Sequence, residues 1–325
     1  MRTHSINNMK IYTYFRFLNW LHFLKSVFKY SEPLQNFIED GISTDLDNLD
    51  YDELYNIESE NDAGFITFKA ILKNNLKPNY KSFLEIGAGT GGFTIPFLRN
   101  TKVETAFITD ISKKMLHITR NKINNEKNIS SKIYYATYTG MENVFKKNKF
   151  DIVIGSSVLH HMPDYNSALT NIYKILTPNG TAIFLEPDID GHKYIIRFLE
   201  SVLEEIHHTL INQPDDFQRL VNWIYEVRFN IKYSGHLKFL KNREDKHMFN
   251  ERQMIIAAKN IGFNNAEIFH DPVTVDGVLD VYLNQARVSK NSIAYIKSLY
   301  KLRGGEFLGF EFKSSTMFMI FKKRH

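Results

Sequence analysis

The chain has 325 residues, 43% hydrophobic and 24% charged, with 41 Lys and Arg against 36 Asp and Glu for a net charge of +5. That apolar fraction excludes global disorder and a fibrous repeat, and the length suits one large domain or a core with a cap. Cysteine is absent, which excludes disulfides, thiolate metal sites, iron–sulfur clusters and any cysteine nucleophile.

Residues 1–75 read as a helical N-terminal cap. Tyr14, Phe17, Leu21, Leu24 and Phe28 recur at the spacing of one helix face, with His22, Lys25, Ser26 and Lys29 opposite. Such a face commonly covers a core; contact with a membrane surface is the alternative. Arg16, His22, Lys25 and Lys29 interrupt the apolar stretch 11–30. Neither a transmembrane span nor a secretory signal is therefore expected, and the expected location is cytoplasmic. Between Glu39 and Asp62 stand ten acidic residues and no basic one, whereas from Arg287 onward nine Lys and Arg face two Glu. Both runs read as solvated faces.

From Lys81 short apolar runs alternate with helix-length segments. Strands are expected at Ser82–Ile86, Glu104–Thr109, Lys132–Tyr138, Phe150–Gly155 and Thr181–Leu185, with helices near 92–99, 112–124, 140–146 and 164–176. This is the pattern of a parallel sheet with helical crossovers. After Pro187 the alternation stops. Residues 191–247 read as a helical insertion, including helices at Tyr194–Leu210 and Phe217–Val227. A helix at Asn250–Ile261 then stops at Gly262, and Phe263–Phe269 and Thr316–Phe321 are placed to close the sheet.

The most informative segment is Ser82-Phe83-Leu84-Glu85-Ile86-Gly87-Ala88-Gly89-Thr90-Gly91-Gly92-Phe93. A strand enters a glycine-rich turn and then a helix, whose free N–H groups and permissive glycines let a ligand approach the backbone. Gly87, Gly89 and Gly92 satisfy G-x-G-x-x-G, while Gly87, Gly89 and Gly91 satisfy the tighter G-x-G-x-G. On either pattern Asp110, ending the second strand, is placed to accept hydrogen bonds from ribose hydroxyls. A nucleoside-containing cofactor is expected.

Three features narrow the choice: Glu85 in E-x-G-x-G-x-G, the fourth strand running into Gly155-Ser156-Ser157-Val158-Leu159-His160-His161-Met162-Pro163-Asp164, and the entry Ile175-Leu176-Thr177-Pro178-Asn179-Gly180 into the fifth. In this order they resemble the class I S-adenosylmethionine-dependent methyltransferases of small-molecule type, well over about 80–187 and loosely over 248–325. The resemblance implies a Rossmann-like, seven-stranded, doubly wound α/β sheet over 76–325, with the cap before it and the insertion about 191–247 as a lid. It implies S-adenosyl-L-methionine as cofactor. Gly87, Ala88 and Gly89 would pack against its methionine part, Gly91 would complete the turn, and Glu85 would support it. Asp110 would hold the ribose, Ile111 would flank the adenine, and Ser156 and Ser157 would border the sulfonium. Where relatives carry an acidic residue after the third strand, this sequence has Thr137 and Tyr138, and Thr137 can accept a single hydrogen bond. Tyr51 or Tyr55 would contribute a hydroxyl from a pre-core helix.

The acceptor is narrowed by absences. No [Asn/Asp]-Pro-Pro-Tyr follows the fourth strand, and the cysteine that cytosine C5 methylation requires does not exist here. Oxygen, an aliphatic or ring nitrogen, and an activated carbon remain, with O-methylation of a hydroxyl or carboxyl on a small molecule as the expectation. His160, His161 and His192 are the candidate bases, with Glu186 and Asp188 as acceptors of a substrate proton. No metal is expected, because the spacing of Asp188, Asp190 and His192 is a weak signal. His207, His208 and His247 read as surface or helix residues. An RNA or tRNA methyltransferase is the alternative enzyme, favoured by the basic balance and opposed by the lack of an RRM or KH signature. A catalytically inactive cofactor-binding partner subunit is the non-enzymatic alternative. A homodimer is left open.

Overall fold

The computed structural model describes residues 75–203, 205–206, 214–270, 274–303 and 312–324. The cap expected over 1–75, with Tyr51 and Tyr55, falls outside them but for its last residue, as do His207 and His208. A seven-stranded sheet has the order β3-β2-β1-β4-β5-β7-β6. Its strands are β1 Asn79–Ile86, β2 Lys102–Asp110, β3 Lys132–Thr137, β4 Phe150–Ser156, β5 Leu176–Pro187, β6 Asn265–His270 and β7 Thr316–Lys322. β1 to β5 pair in parallel, and β7 runs antiparallel between β5 and β6.

Strand alternation places successive residues on opposite faces. Phe83, Ile108 and Ile152 pack on one face with Phe97 of helix α1 (Thr94–Asn100) and Leu116 of α2 (Lys113–Asn124). Leu84, Phe107 and Val153 pack on the other with Leu169 of α3 (Tyr165–Ile175). Both faces are covered, as a parallel sheet requires. Asp164 caps α3, its Oδ1 accepting from Ser167 N–H at 3.0 Å.

After β5 come α4 (Ile189–Ser201), α5 (Pro214–Tyr233) and α6 (Leu237–Leu240), followed by α7 (Glu251–Ile261), which ends at Gly262 with φ +112°. Two further helices, α8 (Val275–Gln285) and α9 (Lys290–Arg303), lie between β6 and β7. These two escape the sequence reading, which carries only the strands on either side. Their apolar residues share a core with α4 and α5 and none with the sheet, so no strand-helix alternation marks them.

The helix expected at 140–146 is absent. Gly140 takes φ +83° there, and Glu142 turns back to accept both the Thr139 N–H at 3.1 Å and its hydroxyl at 2.5 Å. A positive φ and a side-chain-closed turn both compete with helix. His247 is buried rather than exposed, packed between Tyr165 and Phe249. No helix among the described residues is long and apolar enough to cross a membrane.

Candidate functional site

The strand order reverses between β1 and β4, and open sheets of this kind take ligands in the crevice beyond the strand ends at that point. Gly87, Ala88 and Gly89 leave β1 there, while Ser156 and Ser157 leave β4. Gly87, Gly89 and Gly91 hold φ at +73°, +53° and +90°, a region side chains disfavour. A Cβ on Gly87 would stand 2.7 Å from Val158 Cγ2. The turn is therefore packed directly on the chain leaving β4.

Glu85 is buried within β1, and its carboxylate accepts the hydroxyl of Thr94 in the first turn of α1. Burial pushes its carboxyl up to about 8, against the opposing pull of that hydrogen bond. Asp110 accepts the Gly89 N–H on Oδ2 and the Ser112 N–H on Oδ1, each at 2.8 Å. One carboxylate thus holds the glycine turn and the cap of α2 together. Thr119 clamps the turn from α2, its hydroxyl donating to the Gly89 carbonyl at 2.6 Å.

Beside Asp110, Ile111 is 38% exposed, an apolar side chain presented at the rim of a polar cleft. Thr137 pairs in register with Asp110 and is half-buried. Tyr138 is buried with its hydroxyl 3.0 Å from the Glu142 carbonyl. Its ring oxygen is engaged within the fold, and burial raises its pKa. Ser156 is half-buried; Ser157 is exposed with φ +52°, its N–H donating to the Leu185 carbonyl at 2.8 Å. A glycine turn open to close approach, a carboxylate at the end of β2 and an apolar rim residue fit a nucleoside carrying a cationic sulfur.

Next to this crevice is a histidine cluster. Glu186, fully buried in β5, accepts the N–H groups of Val158 at 3.0 Å, Leu159 at 2.8 Å and His160 at 3.3 Å, and lies 2.6 Å from His160 Nδ1. It fixes the single-turn helix Leu159–His161 and orients the His160 ring. Its oxygens are taken up by the fold, so the part expected of it as a proton acceptor gives way to an anchoring one. Burial alone would lower the pKa of His160, but the charge and hydrogen bond of Glu186 outweigh it and raise it. His161, its ring centroid 4.0 Å away, is held below the usual range by burial and by the neighbouring His160.

Asp245 completes the cluster. Its Oδ1 lies 3.5 Å from His160 Nε2 and 3.4 Å from His161 Nδ1. The loop that carries it is tied down, because Lys246 N–H and His247 N–H donate to the His160 carbonyl at 2.7 and 3.1 Å. Sequence reasoning missed Asp245. It sits 84 residues from His161, and only its place in the polar run that ends the insertion before α7 distinguishes it.

His192 stands apart from that trio in its bonding. Nδ1 is 2.8 Å from the Asp188 carbonyl and Nε2 is 2.7 Å from the Tyr282 hydroxyl, so both ring nitrogens are engaged. Burial lowers its pKa to about 4. Asp188 caps α4 through the Asp190 N–H at 3.0 Å and meets His270 Nε2 at 3.0 Å. Asp190 is exposed and pairs with Lys193. Asp188, Asp190 and His192 therefore do not converge on one point. Tyr282 and His270, on elements after β5, were also invisible to the sequence reading.

Residues 84–182 match the family model described as a methyltransferase domain. Among curated proteins, the highly reducing polyketide synthase PKS6 of Gibberella zeae is 29% identical over 229 residues, which is 67% of this chain and 8% of the synthase. The ubiquinone/menaquinone biosynthesis C-methyltransferase UbiE of Pasteurella multocida is 28% identical over 146 residues, 43% of this chain and 54% of that enzyme. The chain thus spans only part of either relative's length. A solved Haemonchus contortus phosphoethanolamine N-methyltransferase 2, in complex with phosphomonomethylethanolamine and S-adenosylhomocysteine, has a TM-score of 0.51 at 16% identity, covering 90% of this chain and 61% of that one. The complex of the Haloferax volcanii Trm112 methyltransferase activator with its putative methyltransferase gives 0.51 at 13% identity, covering 87% of this chain and 100% of the other. With its three ordered motifs, its seven-stranded sheet and a methyltransferase-domain match over residues 84–182, the chain resembles the class I S-adenosylmethionine-dependent methyltransferases and shares their fold.

Proposed function

We propose that this enzyme methylates a small organic molecule at a carbon made nucleophilic by an adjacent carbonyl or phenol oxygen. The observation that carries this is the fixed polar cluster of His160, His161 and Asp245 beside the glycine turn. An acceptor carbon of this kind becomes nucleophilic only as negative charge develops on its neighbouring oxygen, and preoriented polar groups at that point stabilise the charge. An amine acceptor would need no such group. Two of the relatives, a polyketide synthase and a C-methyltransferase by name, point the same way. O-methylation, the expectation from sequence, uses the same oxyanion and differs only in which atom meets the methyl group.

S-adenosylmethionine supplies the electrophilic methyl: the S–CH3 bond breaks with its electron pair left on sulfur, and the acceptor's displaced proton passes to water. Gly87, Ala88 and Gly89 would receive its methionine part, Asp110 its ribose and Ile111 its adenine. Ser156 and Ser157 would border the sulfonium. The chain's main contribution is to hold the acceptor about 3–3.5 Å from the methyl carbon, and such positioning supplies roughly 7–11 kcal/mol.

The test is incubation with 13C-methyl-labelled S-adenosylmethionine and a panel of β-keto thioesters, phenols, carboxylic acids and amines. The product's 13C shift separates C–CH3 from O–CH3 and N–CH3. Carbon-methyl product is expected; oxygen-methyl product alone would restore the first expectation, and nitrogen-methyl product alone would sink the role given to the cluster.

A further inference from the structure

The side chains that meet beside the glycine turn form a donor set that cofactor binding does not use. His160 Nε2, His161 Nδ1 and one Asp245 carboxylate oxygen all lie within 4.8 Å of one another. The carboxylate oxygen is 3.5 Å from the first and 3.4 Å from the second. A tetrahedral ion with bonds of about 2.0–2.1 Å keeps its ligand atoms about 3.3–3.4 Å apart. Two edges of the donor triangle therefore have the spacing that one shared ion imposes. Direct hydrogen bonds account for the contacts poorly, since a charge-assisted N–H to carboxylate bond is about 2.7–2.9 Å. His161 Nδ1 is moreover buried with no hydrogen-bond partner, which a polar atom rarely tolerates.

What lies behind the donors fits as well. Glu186 occupies Nδ1 of His160 at 2.6 Å, which places a proton on Nδ1 and leaves the Nε2 lone pair facing the cluster. A carboxylate behind a ligating imidazole is the usual support of a metal-bound histidine. The second Asp245 oxygen, Oδ2, is met by Asn230 Nδ2 at 3.5 Å. The Asp245 loop does not need to move to bring its carboxylate in, being already tied to the His160 carbonyl.

We propose that His160 Nε2, His161 Nδ1 and Asp245 Oδ1 hold a divalent transition-metal ion whose remaining position is open to an oxygen of the acceptor. Two imidazoles and one carboxylate suit Zn2+ and its neighbours better than Ca2+ or Mg2+, which take all-oxygen sets. Three protein ligands with an open place is the arrangement of catalytic rather than structural ions. The part about the acceptor rests on the function proposed above; metal binding itself does not. In that reaction the ion takes the carbonyl or phenol oxygen as it becomes an oxyanion, the proton leaves to water, and the methyl carbon bonds to the adjacent carbon as S-adenosylhomocysteine departs.

The experiment titrates the full chain, stripped with a chelator, with Zn2+ by calorimetry and with Co2+ by visible absorption. S-adenosylhomocysteine affinity and circular dichroism are read on the same samples. One ion per chain is expected, with the strong visible bands of four- or five-coordinate Co2+. Asp245→Asn and, separately, His161→Ala should each weaken Zn2+ binding by roughly 10–100-fold or more, with unchanged dichroism and S-adenosylhomocysteine affinity. Absence of one-to-one binding to the wild type, or wild-type affinity in both variants, overturns the metal site. A chain that binds S-adenosylhomocysteine but neither ion overturns that site alone, whereas one that binds none of the three overturns the cofactor assignment with it.

Discussion

Gly87 and Asp110 divide the work of the glycine turn between shape and charge. Gly87 holds φ at +73°, and a Cβ there would lie 2.7 Å from Val158 Cγ2. Gly87→Ala is expected to cost about 1–2 kcal/mol from the backbone region and about 1–3 kcal/mol from overpacking, read as a lowered denaturation midpoint. Combining it with Val158→Ala should return the overpacking part only; full recovery would show that the backbone conformation costs nothing. Asp110 binds the Gly89 and Ser112 N–H groups, so it shapes the turn, and the proposed function also gives it the ribose. Asp110→Ala should weaken S-adenosylhomocysteine binding by roughly 10–100-fold, the loss of charged hydrogen bonds worth about 1–3 kcal/mol. Unchanged affinity by calorimetry would remove Asp110 from the site. Both residues stand in one continuous strand-turn-helix-strand segment, and that is why they were legible: a local motif places its own parts. Asp245, Tyr282 and His270 were not, because long-range packing brings them to His161, His192 and Asp188 and no spacing in the chain encodes it.

At the scale of elements, the link between β1 and α1 is a buried carboxyl. Glu85 on the strand accepts the Thr94 hydroxyl on the helix, and burial pushes its carboxyl up to about 8 from an ordinary 4.5. Because the folded state holds the proton more tightly than the unfolded chain, this group's contribution is full below about pH 4.5. It is lost progressively as pH rises toward 8. Thermal melts at pH 5 and pH 8 should therefore differ less in Glu85→Gln, which keeps the shape of the neutral acid and cannot ionise. An equal difference in wild type and variant would mean that Glu85 does not titrate in this window. The strands themselves were readable to within a few residues, since a parallel sheet buried on both faces writes near-continuous apolar runs. The expected helix at 140–146 failed for a local reason, the turn closed by Glu142 at Gly140. The aromatic residues of the insertion, the segment expected as a lid, fall into two groups. Phe198, Phe217 and Trp223 join a helical core, while Tyr225 is 62% exposed and Arg243 stacks 4.2 Å over Phe229.

Across the whole molecule, two segments far apart in sequence make one helical layer. Leu199 of α4 and Leu220 of α5, from the insertion after β5, pack with Leu279 of α8 and Ile296 of α9, from the segment between β6 and β7. This core is separate from the two that cover the sheet. It reaches the site through Tyr282, which packs on Trp223 and bonds His192. The close approach of Gly191 to Ser314, where a Cβ would stand 1.7 Å from the Ser314 carbonyl oxygen, seats the layer against the sheet edge. Such an arrangement separates the glycine turn and its supports on β1, β2 and β4 from the helical layer, so on the proposed function cofactor binding and the layer are independent. Leu279→Ala tests the separation. Leu279 is fully buried, so the truncation should destabilise by about 2–5 kcal/mol. If α4, α5, α8 and α9 open as one unit, hydrogen exchange should quicken in all four together while β1 and β4 keep their protection. S-adenosylhomocysteine affinity should stay at the wild-type value. Faster exchange confined to α8 would show instead that the layer is not cooperative, and a parallel loss of cofactor affinity would show that the glycine turn depends on it.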